Sequence, residues 1–167
     1  NGLAALAAAN AVGVDLAAVI PKLVDFVSVK RRLENLGSAR GITVYDDFAH
    51  HPTAIRTTLE GLRARVGGAR ILVAMEPRSN SMRLGAHATQ IAPSLAGADI
   101  TVFLQRPELA WDAGAVVSAL RGQGEAVGTV DALVERLEKL AQPGDHIVFM
   151  SNGGFENAPR RMLALLK

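Results

Sequence analysis

The sequence contains no cysteine. Disulfide staples, thiolate metal sites and cysteine nucleophiles are therefore excluded together, and a reducing, cytoplasmic setting suits such a chain. Aromatic residues are scarce, with one Trp, one Tyr and five Phe among 167 residues. The basic residues are spread out, apart from Lys30-Arg31-Arg32 and Arg160-Arg161. No basic-aromatic stripe is available for stacking bases, so no nucleic-acid partner is expected. Neither sign of charge dominates, since 18 basic against 16 acidic residues leave +2. No run approaches the roughly 20 apolar residues of a membrane span, and no membrane partner is expected. The apolar first twelve residues carry no positive flank and do not resemble a signal peptide. They read as a helix that begins abruptly, as if continuing from a longer protein. Three motifs are also missing: the dinucleotide G-x-G-x-x-G, the phosphate-binding G-x-x-x-x-G-K-[ST] and the hydrolase G-x-S-x-G.

Apolar residues make up 49% of the chain, enough for one hydrophobic core in a length short for two domains. Residues 1–12 are Ala-rich and helical by propensity, and Gly13 stops them. Asp15 can cap a second helix to about Phe26, bent or delayed at Pro21. Residues 1–26 thus form a helical lead-in, and 27–167 the body. Arg32–Leu36 and Ile42–Asp46, separated by the Gly37–Gly41 loop, predict a hairpin. Beyond it strands and helices alternate. Helices are expected from Pro52 to about Val66, over Gly85–Leu95, over Asp112–Leu120, up to Leu140 from a Thr129 or Asp131 cap, and over Pro159–Leu166. Strands are expected at Arg70–Ala74, Asp99–Leu104, Ala126-Val127 and His146–Met150. Their continuous rather than alternating apolar character calls for a mostly parallel, Rossmann-like α/β sheet covered by helices on both faces.

Three polar segments then follow strand ends: Asp46-Asp47-Phe48-Ala49-His50-His51-Pro52, Glu76-Pro77-Arg78-Ser79-Asn80 and Ser151-Asn152-Gly153-Gly154. In a parallel sheet they share the rim at which open α/β folds take ligands. Adjacent imidazoles point apart, so a protein-only metal site is not expected. One Asp capping a helix and one His beneath the loop account for those groups. Asp47, short and on a strand end, suits an acceptor role toward a ribose or amine donor. The Arg78 guanidinium could meet a carboxylate or pair with Glu76. Arg32 and Glu34 could also pair. His87 and His146 read as structural, and Trp111 as cover for a helix–sheet seam.

Arg32-Leu33-Glu34, Asp47 to Pro52 and Glu76 to Asn80 together resemble the C-terminal domain of the Mur ligases, and Asn1-Gly2-Leu3-Ala4-Ala5 resembles the close of that family's central ATPase domain. The resemblance implies an ATP- and Mg2+-dependent ligase whose own N-terminal and central domains are this chain's partners. Two segments, Glu76–Asn80 and Met150–Phe155, look closest to the branch that joins a recovered murein tripeptide, L-Ala-γ-D-Glu-meso-diaminopimelate, to UDP-N-acetylmuramate. Asp46–Pro52 also suits the branch that uses L-alanine. On this template Arg32, Asp47 and His50 would face ATP, while Glu76, Arg78, Ser79, Asn80 and Asn152 would face the peptide. No residue here would be catalytic in its own right, and the fragment alone is expected to be inactive. A non-catalytic α/β binding module is the reading from a different class, and Asp46-Asp47 superficially suits a phosphoacceptor. No Lys stands between the last strand and its glycines, however, and Asp99 begins its strand.

Overall fold

A computed structural model of the chain describes residues 2–26 and 29–167. The expected helix start at Asn1 and the expected start of the body at Val27 lie outside the described residues. The lead-in comprises α1 (Gly2–Ala11), α2 (Leu16–Val19) and a 3-10 turn over Ile20–Asp25. Gly13 ends α1 at φ +82, and the Asp15 carboxylate caps α2 by accepting from the Ala17 amide. Pro21 falls where α-helix tightens to 3-10. None of these elements buries a residue, and Leu3, Val24 and Phe26 are among its exposed apolar side chains.

The hairpin of β1 (Glu34–Ala39) and β2 (Ile42–Asp47) turns at Arg40 and Gly41, with φ of +49 and +75. Those positive angles match the right-handed twist of the flanking strands. The expected loop at Gly37 is absent. Gly37 lies inside β1 at a bulge, φ +133, where the register slips between Asn35 and Gly37. Arg32 and Leu33, expected in the strand, precede it.

The remaining elements are α3 (Pro52–Val66), β3 (Ile71–Met75), α4 (Asn80–Arg83), α5 (Ala88–Ser94), β4 (Ile100–Leu104), α6 (Ala113–Ser118), β5 (Gln123–Val127), α7 (Val130–Leu140), β6 (His146–Met150) and α8 (Ala158–Leu165). Asp112 and Thr129 cap α6 and α7. The helix expected from Gly85 is replaced by α4 and the shorter α5. Gly85 breaks the run at φ +78, and its Cα lies so close to Trp111 that a methyl there would sit 3.1 Å from the indole. Trp111 covers that seam as expected, donating its indole N–H to the Met82 carbonyl at 2.5 Å.

The strand order is β1-β2-β6-β3-β4-β5, antiparallel only at β1. Period-two alternation divides each central strand between two cores. Ile71, Val73 and Met75 face α3, α5 and α6 with Leu59, Leu62 and Phe103. Leu72 and Ala74 face α7 and α8 with Phe149, Leu133 and Met162. The last strand in sequence therefore lies between β2 and β3. Asp47 and Met75 both align with Met150, which makes the three polar segments neighbours on one rim.

At the opposite end His146 stacks on Tyr45, and its Nδ1 lies 3.1 Å from the phenolic oxygen. Burial lowers the imidazole below its ordinary 6.5; Asp145 opposes this and Arg65 and Arg63 add to it. The unfolded chain then binds the proton more tightly than the fold does. His146 thus penalises folding as pH falls from above 6.5 toward its lowered native value, and contributes no such penalty above 6.5. Urea unfolding at stepped pH should show stability falling through that window, with a shallower fall in His146→Gln. An unchanged slope in the variant would assign the effect to other groups.

Candidate functional site at the C-terminal rim of the sheet

Glu76, the first residue after β3, has 0% exposure. A buried carboxylate survives only when paired and hydrogen-bonded. Here Arg106, beyond the end of β4, donates from Nε and Nη2 to Oε1 at 3.1 and 2.9 Å. Ser151, beyond the end of β6, donates its hydroxyl to Oε2 at 2.5 Å. Arg106 also reaches Glu156 at 2.6 Å, so three rim segments are tied through one buried charge. The expected alternative of an Arg78–Glu76 pair is corrected by this network, because Arg106 holds the position that Arg78 would need. Glu76 is thus a buried strut beneath the rim.

Asp47 is 4% exposed, and both its oxygens are occupied. Oδ2 accepts from the Leu33 amide at 2.6 Å, and Oδ1 from the Ala49 amide at 2.7 Å and the Thr58 hydroxyl at 3.4 Å. It lines a cleft of about 450 Å3 with Arg32, Leu33, Ala49, Ala54, Thr57, Thr58 and Gly61. Arg32 is exposed, its guanidinium 5.0 Å from the centre of the Phe48 ring, where cation–π attraction supports it. Glu34 does not pair with it: that carboxylate accepts instead from the Arg31 amide at 2.8 Å. Burial lifts the neighbouring Asp46 carboxyl above its usual range, against the opposing pull of Arg31.

The two adjacent histidines separate as expected. His50 is half-buried, its Nδ1 2.9 Å from the Phe48 carbonyl and its ring edge-on to Phe48. His51, not an Asp, caps α3 by accepting from the Thr53 amide at 3.3 Å, and its ring meets His87 at 4.5 Å. The expected Asp cap fails because Asp46 and Asp47 are still in the strand. Among the described residues, no group of three or more His, Asp or Glu is placed to hold a metal ion.

Beyond β3, Arg78 is exposed and makes no hydrogen bond or ion pair among the described residues. It borders a cleft of about 420 Å3 with Pro77, Arg83, Arg106, Glu108, Leu109 and Glu156. Ser79 caps α4 by accepting from the Met82 amide at 3.3 Å, and the Asn80 carbonyl oxygen accepts from Arg83 at 2.8 Å. Both are turned to local tasks beside that cleft. The Asn152 Oδ1 is buried without a hydrogen-bond partner. Sequence reasoning missed Arg31, Phe48, Arg106 and Glu156. Arg106 carried a signal, since it is a charged residue just past the end of an apolar strand, like Asp47 and Glu76.

A mostly parallel sheet with its polar residues gathered at the C-terminal strand ends defines an open, Rossmann-like α/β domain built to present ligands at one rim. Residues 31–153 match the model of the Mur ligase, glutamate ligase domain, and the chain belongs to that family. It is 49% identical over 98% of its length to the UDP-N-acetylmuramate–L-alanyl-γ-D-glutamyl-meso-2,6-diaminoheptandioate ligase of Escherichia coli, of which it covers 36%. The Haemophilus influenzae ligase of the same name is 45% identical over 100% of the chain, with 37% of that protein covered. The chain thus spans little more than a third of these curated relatives. A murein peptide ligase from Psychrobacter arcticus superposes with a TM-score of 0.74 at 38% identity, matching 97% of this chain and 35% of that one. A UDP-N-acetylmuramate–alanine ligase from Thermotoga maritima gives 0.79 at 24% identity over 98% of this chain and 36% of its own, a likeness of fold.

Truncating Glu76 to Ala strands Arg106 and the Ser151 hydroxyl, and should cost about 3 kcal/mol, against about 1 kcal/mol for Ser151→Ala. Urea denaturation of the two variants measures both. Equal, negligible losses would mean that the buried charge does not hold the rim together.

Proposed function

We propose that this chain is the C-terminal domain of an ATP-dependent ligase that joins a recovered murein tripeptide to UDP-N-acetylmuramate. The observation that carries this reading is the pairing of two unlike faces on one rim. One face presents the exposed Arg32 guanidinium on Phe48 above the cleft that Asp47 lines, and its residue types suit a nucleotide. The other presents Arg78, unpaired among the described residues, beside a cleft lined by Arg83, Arg106, Glu108 and Glu156, and the Arg78 guanidinium suits a carboxylate of a peptide. The names of the Escherichia coli and Haemophilus influenzae relatives favour the tripeptide over L-alanine as the incoming amine.

In the intact enzyme ATP phosphorylates the muramyl carboxylate to an acyl phosphate, releasing ADP. The peptide α-amine then attacks the carbonyl carbon, inorganic phosphate leaves, and the amine gives up a proton. Mg2+ bound with ATP would offset phosphate charge, and among the described residues of this chain no cluster of three His, Asp or Glu would hold it. Arg32 meets the phosphates as the domain closes. Asp47 serves the ribose edge with whatever acceptor capacity its three protein donors leave, and fixes the backbone at Leu33. His50 steadies the Phe48 loop. Arg78 receives a peptide carboxylate, with Ser79, Asn80 and Asn152 beside it and Glu76 as the support below. Closure excludes water from the acyl phosphate. The exposed apolar residues of 2–26 are covered by the central domain, to which that segment belongs.

Phosphate release by the full-length enzyme, given UDP-N-acetylmuramate, ATP and either amine, tests the reading. The tripeptide should be used in preference to L-alanine, and the isolated chain should release none. Preference for L-alanine would move the enzyme to the other branch, and turnover by the isolated chain would overturn the division of labour. Arg32→Ala should raise the KM for ATP by about tenfold, the loss of one charge-assisted phosphate contact.

A further inference from the structure

Arg31 stands beside the residue assigned to ATP, and its guanidinium lies 5.3 Å from the centre of the same Phe48 ring, yet its shortest side-chain hydrogen bonds run the other way. Its amide donates to Glu34 and its carbonyl accepts from the Phe48 amide, both at 2.8 Å, while its backbone takes the left-handed conformation at φ +58. One guanidinium nitrogen donates to the carbonyls of both Ser151 and Gly153, each at 2.5 Å, and Nε lies 3.4 Å from Asp46. Those carbonyls flank Asn152, whose own Oδ1 accepts nothing. The turn is therefore gripped through its backbone, from a residue 120 positions away in sequence. The same turn seats Arg78. A methyl on Gly153 would collide with Arg78 Cδ and lie 2.6 and 2.7 Å from its Nη1 and Nε. The missing side chain of Gly153 is the surface on which Arg78 lies.

We propose that Arg31 is a positioning residue for the amine side of the rim. By fixing the Ser151 and Gly153 carbonyls it sets Gly153 as a flat seat, and that seat aims Arg78 at a carboxylate of the incoming substrate. Neither Arg31 nor Gly153 touches the ligand. The identity of the ligand rests on the ligase reading above; the coupling of Arg31 to Arg78 does not. A lysine at position 31 would keep the charge, but its ammonium would end one bond short of the guanidinium nitrogen that grips the two carbonyls.

Steady-state kinetics of the full-length enzyme test this with Arg31→Lys, Gly153→Ala, Arg78→Ala and the pairwise combinations with Arg78→Ala. Arg31→Lys and Gly153→Ala should each raise the KM for the tripeptide by about tenfold while moving the KM for ATP by less than about twofold. Neither should add to the loss already present in Arg78→Ala, because each acts by misplacing that side chain. Effects that multiply with Arg78→Ala, or an equal rise in the KM for ATP, would overturn the proposal. Should Arg31→Lys fail to fold, Arg31→Gln takes its place in the cycle with Arg78→Ala, and Gly153→Ala tests the seat separately, since the collision there is with a flexible side chain that can move aside. An enzyme that prefers L-alanine would overturn the tripeptide reading alone, and the Arg31 and Arg78 cycle measured with L-alanine would still decide the role of Arg31.

Discussion

A carboxylate sealed from water at the head of β3 constrains the rest of the rim. Desolvating Glu76 without partners would cost several kcal/mol, a cost offset because β4 and β6 bring Arg106 and Ser151 to it. Strand order makes that possible, because β6 and β4 both flank β3. Once satisfied, Glu76 fixes the spacing of three loops, and through Arg106 it reaches Glu156. Arg78, two residues along the chain, follows a neighbour held on both carboxylate oxygens.

Strain collects around the same rim. Arg31 and Leu33 adopt positive φ where the chain enters β1, and Phe155, Glu156 and Asn157 do so consecutively beyond β6. Each such residue costs roughly 1–2 kcal/mol relative to ordinary backbone. The first pair is held by Asp47 and Glu34, which accept from the Leu33 and Arg31 amides. The second run is anchored by Phe155, buried against Phe149, and by the Arg106–Glu156 pair. Strained residues that persist because their surroundings over-determine them cluster at functional sites. Here the two strained arcs enclose the ends of β2 and β6, with Arg31 spanning the gap between them.

Much of this was legible in advance. Apolar runs such as Arg70–Ala74 and His146–Met150 announced buried parallel strands, and Asp15, Asp112 and the Thr129 or Asp131 alternative announced their helices. The polar clusters at 46–52, 76–80 and 151–154 announced a rim site. What sequence reading misplaced was decided by distant contacts. Gly37 looks like a loop residue, but pairing with β2 draws it into a strand as a bulge. Gly85 looks like a helix start, but the approach of Trp111 ends the helical run there. Arg78 looks like the partner of Glu76 because it is near in sequence, whereas the partner lies 30 residues on.

The order of residue types by itself determined which segments are strands, which helices, and that charged groups gather where strands end, because periodicity, capping and burial act over a few residues at a time. Only the tertiary structure decided that β6 threads between β2 and β3, that Arg106 and Ser151 satisfy Glu76, and that Arg31 grips a turn far along the chain. Those choices depend on which side chains are brought within hydrogen-bond reach when two faces of a sheet are covered at once, and no local pattern encodes that proximity.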